Sequence, residues 1–151
     1  MLGNEEIVKI IVVSKDLVLH DSMEHILDSD KYSLKPIIPN HKSIAGVRNL
    51  DPDIFVIDGT DSGENVLSVC QTIRTYSGKP ILVLAANSKP ELVEKVLDAG
   101  ADEFLLKPVS GKILTAYLNN LTRRARAEND AALILTSGNN SQTQSSRLLT
   151  Y

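Results

Sequence analysis

The sequence predicts a doubly wound α/β domain, in which a five-stranded parallel sheet is flanked by five helices. Two observations carry this prediction: short runs of Ile, Val, Leu and Phe with little alternation, and amphipathic stretches between them. Near-continuous apolar runs are typical of strands that are covered on both faces of a parallel sheet. Strand and helix patterns alternate five times along the chain, which favours a parallel sheet with right-handed crossovers.

Five segments are predicted to be strands. The four strongest are the apolar runs at 7–13, 54–57, 81–84 and 104–106. A weaker run at 32–38 contains Pro36, which has no N–H to donate to a neighbouring strand. We therefore expect this fifth strand at an edge of the sheet.

The segments between the strands carry apolar residues at helical spacing. The residues predicted to face the sheet are Leu19, Met23, Ile26 and Leu27; Ile44, Val47 and Leu50; Val66, Val69, Cys70 and Ile73; Leu92, Val93, Val96 and Leu97; and Leu114, Tyr117, Leu118 and Leu121. Residues 88–91 (SKPE) are typical of a capping box with proline in the first turn. Gly100 is predicted to end the fourth helix, and Ser110 to cap the fifth.

The chain has the size of one ordinary domain, with 151 residues of which 42% are hydrophobic. We assign residues 1–127 to this domain and 128–151 to a polar linker or tail, which in a longer protein would lead to an effector domain. The apolar cluster at 131–135 fits either a short extra strand or docking patch, or a disordered segment.

Charge and hydropathy exclude several classes of function. The formal net charge is -3, from 16 basic and 19 acidic residues, which argues against direct nucleic-acid contact by this segment and against a polybasic membrane patch. No apolar run approaches the ~20 residues that a bilayer requires, and the N-terminus is acidic where a signal peptide would be basic. We expect a cytoplasmic protein. Its single cysteine, Cys70, is predicted to be a core thiol because it lies on a helical apolar stripe.

Two opposite charges end two of the predicted buried strands. Asp58 closes the run at 54–57, and Lys107 closes the run at 104–106, immediately before Pro108. Ligands of open parallel sheets bind beyond the carboxyl ends of the strands. The two side chains are therefore candidates for one functional site.

Each candidate residue also fits a role in the fold alone. Asp58 fits a strand-end turn, where aspartate is favoured, and Lys107 fits a solvated charge before a proline turn. Asp16 fits a cap of the first helix better than it fits a metal ligand. The three histidines, at positions 20, 25 and 41, are scattered singly and are predicted to lie at the surface.

Three local motifs, with the order of elements, resemble the receiver domain of bacterial two-component response regulators. Residues 53–58 (DIFVID) resemble the third strand with its phosphoacceptor aspartate, and 80–86 (PILVLAA) resemble the fourth strand. Residues 100–108 (GADEFLLKP) resemble the fifth strand with its aromatic switch position, lysine and proline. The likeness extends over about 7–127 and implies the CheY-like, flavodoxin-like fold, with a cis Lys107–Pro108 bond.

The resemblance implies a chemistry for the candidate site. A histidine kinase or a small phosphodonor would transfer a phosphoryl group to Asp58, and Lys107 would offset the negative charge. A Mg2+ ion would be held by Asp58, by the backbone carbonyl of Thr60 and by an acidic pair after the first strand, for which Asp16 is the remaining candidate.

The chain departs from the family pattern at this site. The first strand is followed by Ser14-Lys15-Asp16 in place of the acidic pair, and Lys15 stands where a ligating carboxylate is expected. Replacing a carboxylate with an ammonium changes the local charge by two units, which disfavours Mg2+ binding. We expect the Lys15 ammonium to pair with Asp58 and partly to replace the metal. Ala85 stands in place of the hydroxyl residue that binds the phosphoryl group, whereas Phe104 keeps the aromatic switch position. The loop at 59–65 lacks the usual proline.

These features predict an atypical receiver, a binding unit in a phosphorelay rather than an enzyme, with weak or no phosphorylation at Asp58. Its partners would be a histidine kinase or another signalling protein and, through the fourth helix, fifth strand and fifth helix, a second copy. An effector domain outside this chain would regulate transcription. One alternative is a conventional Mg2+-dependent phosphoacceptor, in which Asp16 or Ser14 contributes to a degraded metal site. The last alternative, because no glycine-rich phosphate loop follows the first strand, is a small α/β ligand-binding domain.

Overall fold

The computed structural model describes residues 6–59, 63–87 and 89–138. Five parallel strands form one sheet in the order β2-β1-β3-β4-β5. The strands are β1 (Val8–Val13), β2 (Tyr32–Ile37), β3 (Ile54–Gly59), β4 (Ile81–Ala85) and β5 (Glu103–Leu106). The helices are α1 (Val18–Ile26), α2 (His41–Gly46) with a 3-10 turn at Val47–Asn49, α3 (Gly63–Arg74), α4 (Pro90–Asp98) and α5 (Gly111–Gly138). The predicted fold class is confirmed.

Two hydrophobic cores cover the two faces of the sheet. One core joins the sheet to α2, α3 and α4, and contains Val69 and Ile73 of the predicted α3 stripe. The other joins the sheet to α1 and α5, through Met23, Leu118 and Leu121 among others. Because β1, β3 and β4 are buried on both faces, their sequences show apolar runs instead of alternation. As predicted, β2 with its proline pairs on one side only and forms an edge.

The helix boundaries follow local backbone chemistry. Gly100 follows α4 with φ +118°, a conformation that only glycine adopts at little cost. The Ser110 hydroxyl accepts a hydrogen bond from the Ile113 N–H at 3.2 Å and so caps α5, as expected. Ser88 of the predicted capping box lies outside the described residues. Pro90 is the first residue of α4.

Three of the apolar residues predicted to face the sheet are exposed. Ile26, Leu50 and Leu97 keep 43%, 42% and 42% of their surface in contact with solvent. Leu50 lies beyond the 3-10 turn that ends the second helical segment, and Ile26 and Leu97 lie in the last turns of nine-residue helices. Short helices at the edges of the cores bury a narrower stripe than their sequence pattern suggests.

The fifth helix is longer than the sequence predicts. It continues to Gly138, beyond the end expected near 127. The assignment of residues 128–151 to a polar linker or tail stays a prediction. The apolar cluster at 131–135 is helical, not a strand, with Leu133 and Ile134 exposed at 59% and 71%. Residues 139–151 lie outside the described segments. No helix in the part of the chain that the structure covers is both long and apolar enough to cross a membrane.

Arg74 at the end of α3 joins two connecting segments at the amino end of the sheet. Its guanidinium donates hydrogen bonds to the carbonyl oxygens of Gly100, Ser77 and Lys79, at 2.8, 3.0 and 2.7 Å. It also forms a salt bridge of 2.9 Å with Asp102. The Arg74 side chain therefore connects the turn before β4 to the turn before β5 through hydrogen bonds.

The Cys70 thiol is fully buried, as predicted. Burial raises its pKa from 9.0 to about 11, an effect that the nearby Arg74 partly opposes. Because the folded state holds the thiol proton more tightly than the unfolded chain, the stability from this group is complete below pH 9.0 and is lost as pH rises toward about 11.

We therefore expect the unfolding free energy to fall by roughly 1 kcal/mol per pH unit within this window through Cys70 alone. Urea titrations at about pH 8 and about pH 10 would measure the fall. A Cys70→Ala variant should show a correspondingly smaller decrease, because the tyrosines still titrate in both proteins. Equal decreases in the two proteins would contradict the expectation.

Candidate functional site

Three polar residues meet where β1, β3 and β5 end. Asp58 is the penultimate residue of β3, Ser14 directly follows β1, and Lys107 directly follows β5. Because β1 and β3 are neighbours and parallel, their carboxyl ends bring Ser14 beside Asp58. The position is the point at which the strand order reverses, where ligands of doubly wound sheets bind.

Lys107 reaches Asp58 across the end of β4, which separates β5 from β3. The N–H of Lys107 donates a hydrogen bond of 2.8 Å to the carbonyl oxygen of Ala85, and Ala85 pairs in register with Gly59. The Lys107–Pro108 bond is cis, as the resemblance implied.

Each carboxylate oxygen of Asp58 has a partner in the chain. The Lys107 ammonium lies 2.5 Å from Oδ1, and the Ser14 hydroxyl donates to Oδ2 at 2.9 Å. The Asp58 side chain is 8% exposed and that of Lys107 is 26% exposed. A buried carboxylate requires partners of this kind, since an unpaired charge at such burial costs several kcal/mol. The sequence correctly predicted that Asp58 and Lys107 lie at one site, but it did not predict the hydrogen bond from Ser14.

The remaining predicted site residues have different surroundings. Asp16 is exposed, and its Oδ1 accepts a hydrogen bond of 2.9 Å from the Val18 N–H, so that it caps the start of α1. Lys15 is exposed, and its pairing with Asp58 stays a prediction. Thr60 lies outside the described residues.

The donor set around Asp58 differs from that of a Mg2+ site. The groups that contact the carboxylate include a hydroxyl and an ammonium, and Asp16 is directed to the backbone of α1. Magnesium binds carboxylate, carbonyl and water oxygens in an octahedron, and an ammonium is no ligand. The described residues therefore do not fit the cation that the resemblance implies.

Two further positions bear on the candidate switch. Ala85 ends β4 and is 1% exposed, and its methyl group offers no hydrogen bond to a ligand at Asp58. Phe104 on β5 is half-buried and packs against the core formed with α2, α3 and α4. The aromatic side chain is thus present without the hydroxyl residue that the family pattern pairs with it.

A second polar cluster lies on α1. His20 is buried, at 9% exposed, and the prediction that it lies at the surface was wrong because it shares a helix face with Met23 and Leu27. Its Nδ1 lies 3.3 Å from Asp21 and 3.7 Å from Glu24. Among the described residues, these three form the single group spaced closely enough to hold a metal ion. Asp58 does not belong to it.

The fold and the paired charges at the strand ends define a protein of the CheY-like, flavodoxin-like class. The chain matches the response regulator receiver domain family over residues 10–119. It belongs to this family, and is therefore a receiver domain of two-component signalling. Receiver domains interact with histidine kinases and other signalling proteins, and response regulators are generally signalling proteins rather than enzymes.

Curated relatives extend the comparison. The DNA-binding response regulator MtrA of Mycolicibacterium paratuberculosis is 31% identical over 116 residues, which cover 77% of this chain and 52% of MtrA. Response regulator MprA of Mycobacterium avium is 32% identical over 124 residues, which cover 82% of this chain and 54% of MprA. The chain thus spans about half the length of these relatives.

Solved structures agree on the fold. A CheY-like receiver domain protein from Methanospirillum hungatei JF-1 superposes with a TM-score of 0.68 at 19% identity, covering 82% of this chain and 99% of the other. At this identity the likeness concerns the arrangement of strands and helices. It supports the flavodoxin-like topology independently of the site residues.

Proposed function

We propose that this chain is an atypical receiver, in which phosphorylation of Asp58 is weak or absent and signalling depends on contacts with other proteins. The observation that carries the proposal is the pairing of Asp58 with Lys107 and Ser14. The phosphoacceptor carboxylate and its lysine are both present, but the groups that would draw in a cation and a phosphoryl group have been replaced.

Charge opposes the approach of a phosphodonor. A phosphoryl group is densely negative, and its transfer to a carboxylate needs positive charge to offset the repulsion. Lys107 supplies one such charge but is engaged with Asp58. A divalent cation would supply two more, and the described residues offer it a poor site.

The coupling between phosphorylation of Asp58 and the position of Phe104 on β5 is also weakened. In a receiver, a hydroxyl at the position of Ala85 would follow the phosphoryl group and allow the aromatic residue on β5 to move. Here the side chain is a buried methyl. Any phosphoryl group at Asp58 would lack this partner, so that the energy difference between two states of Phe104 would depend little on phosphorylation.

The partner surface we propose is formed by α4, β5 and α5. Each of these elements carries a large apolar side chain in contact with solvent: Leu97, Leu106 and Ile113 are 42%, 48% and 49% exposed. A kinase, another signalling protein or a second copy of the chain would bind there. The relatives named as response regulators are about twice as long, and an effector domain outside this segment would then regulate transcription.

One mode of dimerisation is disfavoured. Tyr117 and Asn119 stand where winged-helix regulators tend to carry arginines for a dimer salt-bridge network, as the resemblance implies. The side-chain oxygen of Asn119 accepts a hydrogen bond from the Tyr32 hydroxyl within the domain. This residue is therefore committed to the contact between α5 and β2.

The second candidate function is a conventional Mg2+-dependent phosphoacceptor. It is favoured by one observation, the retained Asp58–Lys107 pair at the correct strand ends. In that case water molecules and the Thr60 carbonyl would have to complete a cation site with Asp58 and Asp16. The two candidates differ in a single measurable property, the formation of an acylphosphate.

Intact-mass analysis after incubation with acetyl phosphate and Mg2+ tests the proposal. We expect no phosphoryl adduct on the unmodified chain, or an adduct on only a small fraction of molecules. Asp58→Asn is the matched control, because it keeps the shape of the side chain and removes the nucleophile. A stoichiometric adduct that is absent from Asp58→Asn would reject the atypical receiver and establish the conventional one.

A further inference from the structure

Ser14 lies beside Asp58, and the sequence did not predict a direct hydrogen bond between the two side chains. It is 6% exposed, and its hydroxyl donates to Asp58 Oδ2 at 2.9 Å. Its backbone N–H donates to the carbonyl oxygen of Ile37 at 3.0 Å, at the end of the neighbouring strand β2. The sheet therefore holds the backbone of Ser14 in place, and the side-chain hydroxyl is directed at the Asp58 carboxylate.

We propose that Ser14 is a positioning residue that holds the second oxygen of Asp58 where a divalent cation would otherwise bind, so that this site is assembled without metal. The inference deepens the proposed function, since it concerns the same carboxylate. Lys107 holds Oδ1 and Ser14 holds Oδ2, and both contacts come from the ends of strands. The carboxylate is thus oriented by the chain itself.

The chemistry of the two partners explains why metal is excluded. A serine hydroxyl has one proton, and in donating it to Oδ2 the hydroxyl takes one of the two lone pairs of that oxygen, so that a cation would have to compete with it or share the oxygen. The adjacent Lys15 carries a positive charge in place of a ligating carboxylate. Relative to an acidic pair, the sequence Ser14-Lys15 removes two negative charges and adds one positive charge next to Asp58.

Metal binding to the full chain tests the inference, with Mg2+ alone as the probe. The chemical shifts of backbone amides at Ser14 and Gly59 would be followed by NMR during a titration. We expect the unmodified chain to show no saturable change that depends on Asp58. The double variant Ser14→Asp/Lys15→Asp should gain Mg2+ affinity by at least about tenfold, through restored carboxylates.

The matched control is Ser14→Asn/Lys15→Asn, which has side chains of similar size without negative charge. It should stay close to the unmodified chain, and adding Asp58→Asn to the aspartate variant should abolish the gain. Saturable, Asp58-dependent Mg2+ binding by the unmodified chain, as tight as in the aspartate variant, would overturn the inference.

The role of Ser14 itself is tested by a double-mutant cycle in thermal unfolding. Ser14→Ala should lower Tm by about 4 °C, because one hydrogen bond to a charged group is lost. In an Asp58→Ala background the same change should have almost no effect, and Ser14→Thr should restore part of the loss. An equal loss of Tm in both backgrounds would mean that Ser14 does not act through Asp58, which contradicts its role.

The acetyl phosphate reaction separates this inference from the proposed function. Transfer would form a bond between an Asp58 oxygen and phosphorus and release acetate. A stoichiometric adduct that forms equally in EDTA would reject weak phosphorylation and support a metal-free site. A stoichiometric adduct that requires Mg2+ would reject both proposals, and saturable Mg2+ binding at Asp58 without an adduct would reject the metal-free site alone.

Discussion

Replacing Lys107 with methionine is expected to lower the free energy of unfolding by about 2 kcal/mol at neutral pH. The change keeps most of the unbranched stem and removes the ammonium that lies 2.5 Å from Asp58 Oδ1. Asp58 would then be a carboxylate at 8% exposure that has lost this ammonium and keeps the hydrogen bond from the Ser14 hydroxyl. The expected loss is below that for a fully buried pair, since Lys107 is 26% exposed. Urea unfolding measures the change.

The control for this prediction is the Asp58→Asn variant. It should cost less than Lys107→Met, because the partly exposed ammonium that it leaves can be solvated by water. Combining both substitutions should recover more than about 1 kcal/mol of the summed losses, as expected for two residues in direct contact. Strictly additive losses would show that the ion pair contributes nothing to the folded state beyond its separate side chains.

Arg74→Met should destabilise the domain by about 3 kcal/mol. The Arg74 side chain is 24% exposed, and its guanidinium donates hydrogen bonds to three backbone carbonyl groups and to the Asp102 carboxylate, on two connecting segments. The substitution would remove all of these hydrogen bonds at once. Arg74→Lys should recover less than half of the loss, because one ammonium cannot match the planar fork of donors. Chemical unfolding in urea provides the measurement.

Asp102→Asn isolates the salt bridge within this network. Asp102 Oδ2 accepts from both Arg74 and the N–H of Ile81 at the start of β4. The amide should cost about 1 kcal/mol and keep most of the structure, since its oxygen can still accept one of these bonds. If Arg74→Lys were as stable as the unmodified chain, the geometry of the fork would be irrelevant and the explanation would fail.

The sequence was most informative where burial on both faces of the sheet imposed continuous apolar runs. Apolar runs located four of the five strands, and Pro36 marked the weaker fifth one as an edge strand. The breaks that end two of these runs placed Asp58 and Lys107 at the same edge of the sheet. Distances along parallel strands are fixed by pairing, and the meeting of these two residues could therefore be inferred from their positions alone. The same reasoning placed Val69, Cys70 and Ile73 in the core.

Features that depend on one hydroxyl or on helix length were harder to infer. A serine after a strand is common, and only the orientation of its side chain distinguishes the partner of Asp58 from a solvated residue. The polar composition after Leu121 suggested that helical structure ends near 127, whereas α5 continues to Gly138. Alanine, arginine and glutamate are good helix formers, so that the segment at 123–132 can extend a helix already nucleated on the sheet.

This extension gives α5 the properties of a lever arm. The helix runs 16 residues past Thr122, its last buried residue among those described, which is about 24 Å at 1.5 Å per residue. Arg126 lies 3.2 Å from Asp53 at the amino end of β3, close to where the helix leaves the sheet. A tilt of roughly 10° about that contact would displace Gly138, about 18 Å further along the helix, by roughly 3 Å. A change in packing too small to alter the fold would thus be magnified at the far end of the helix.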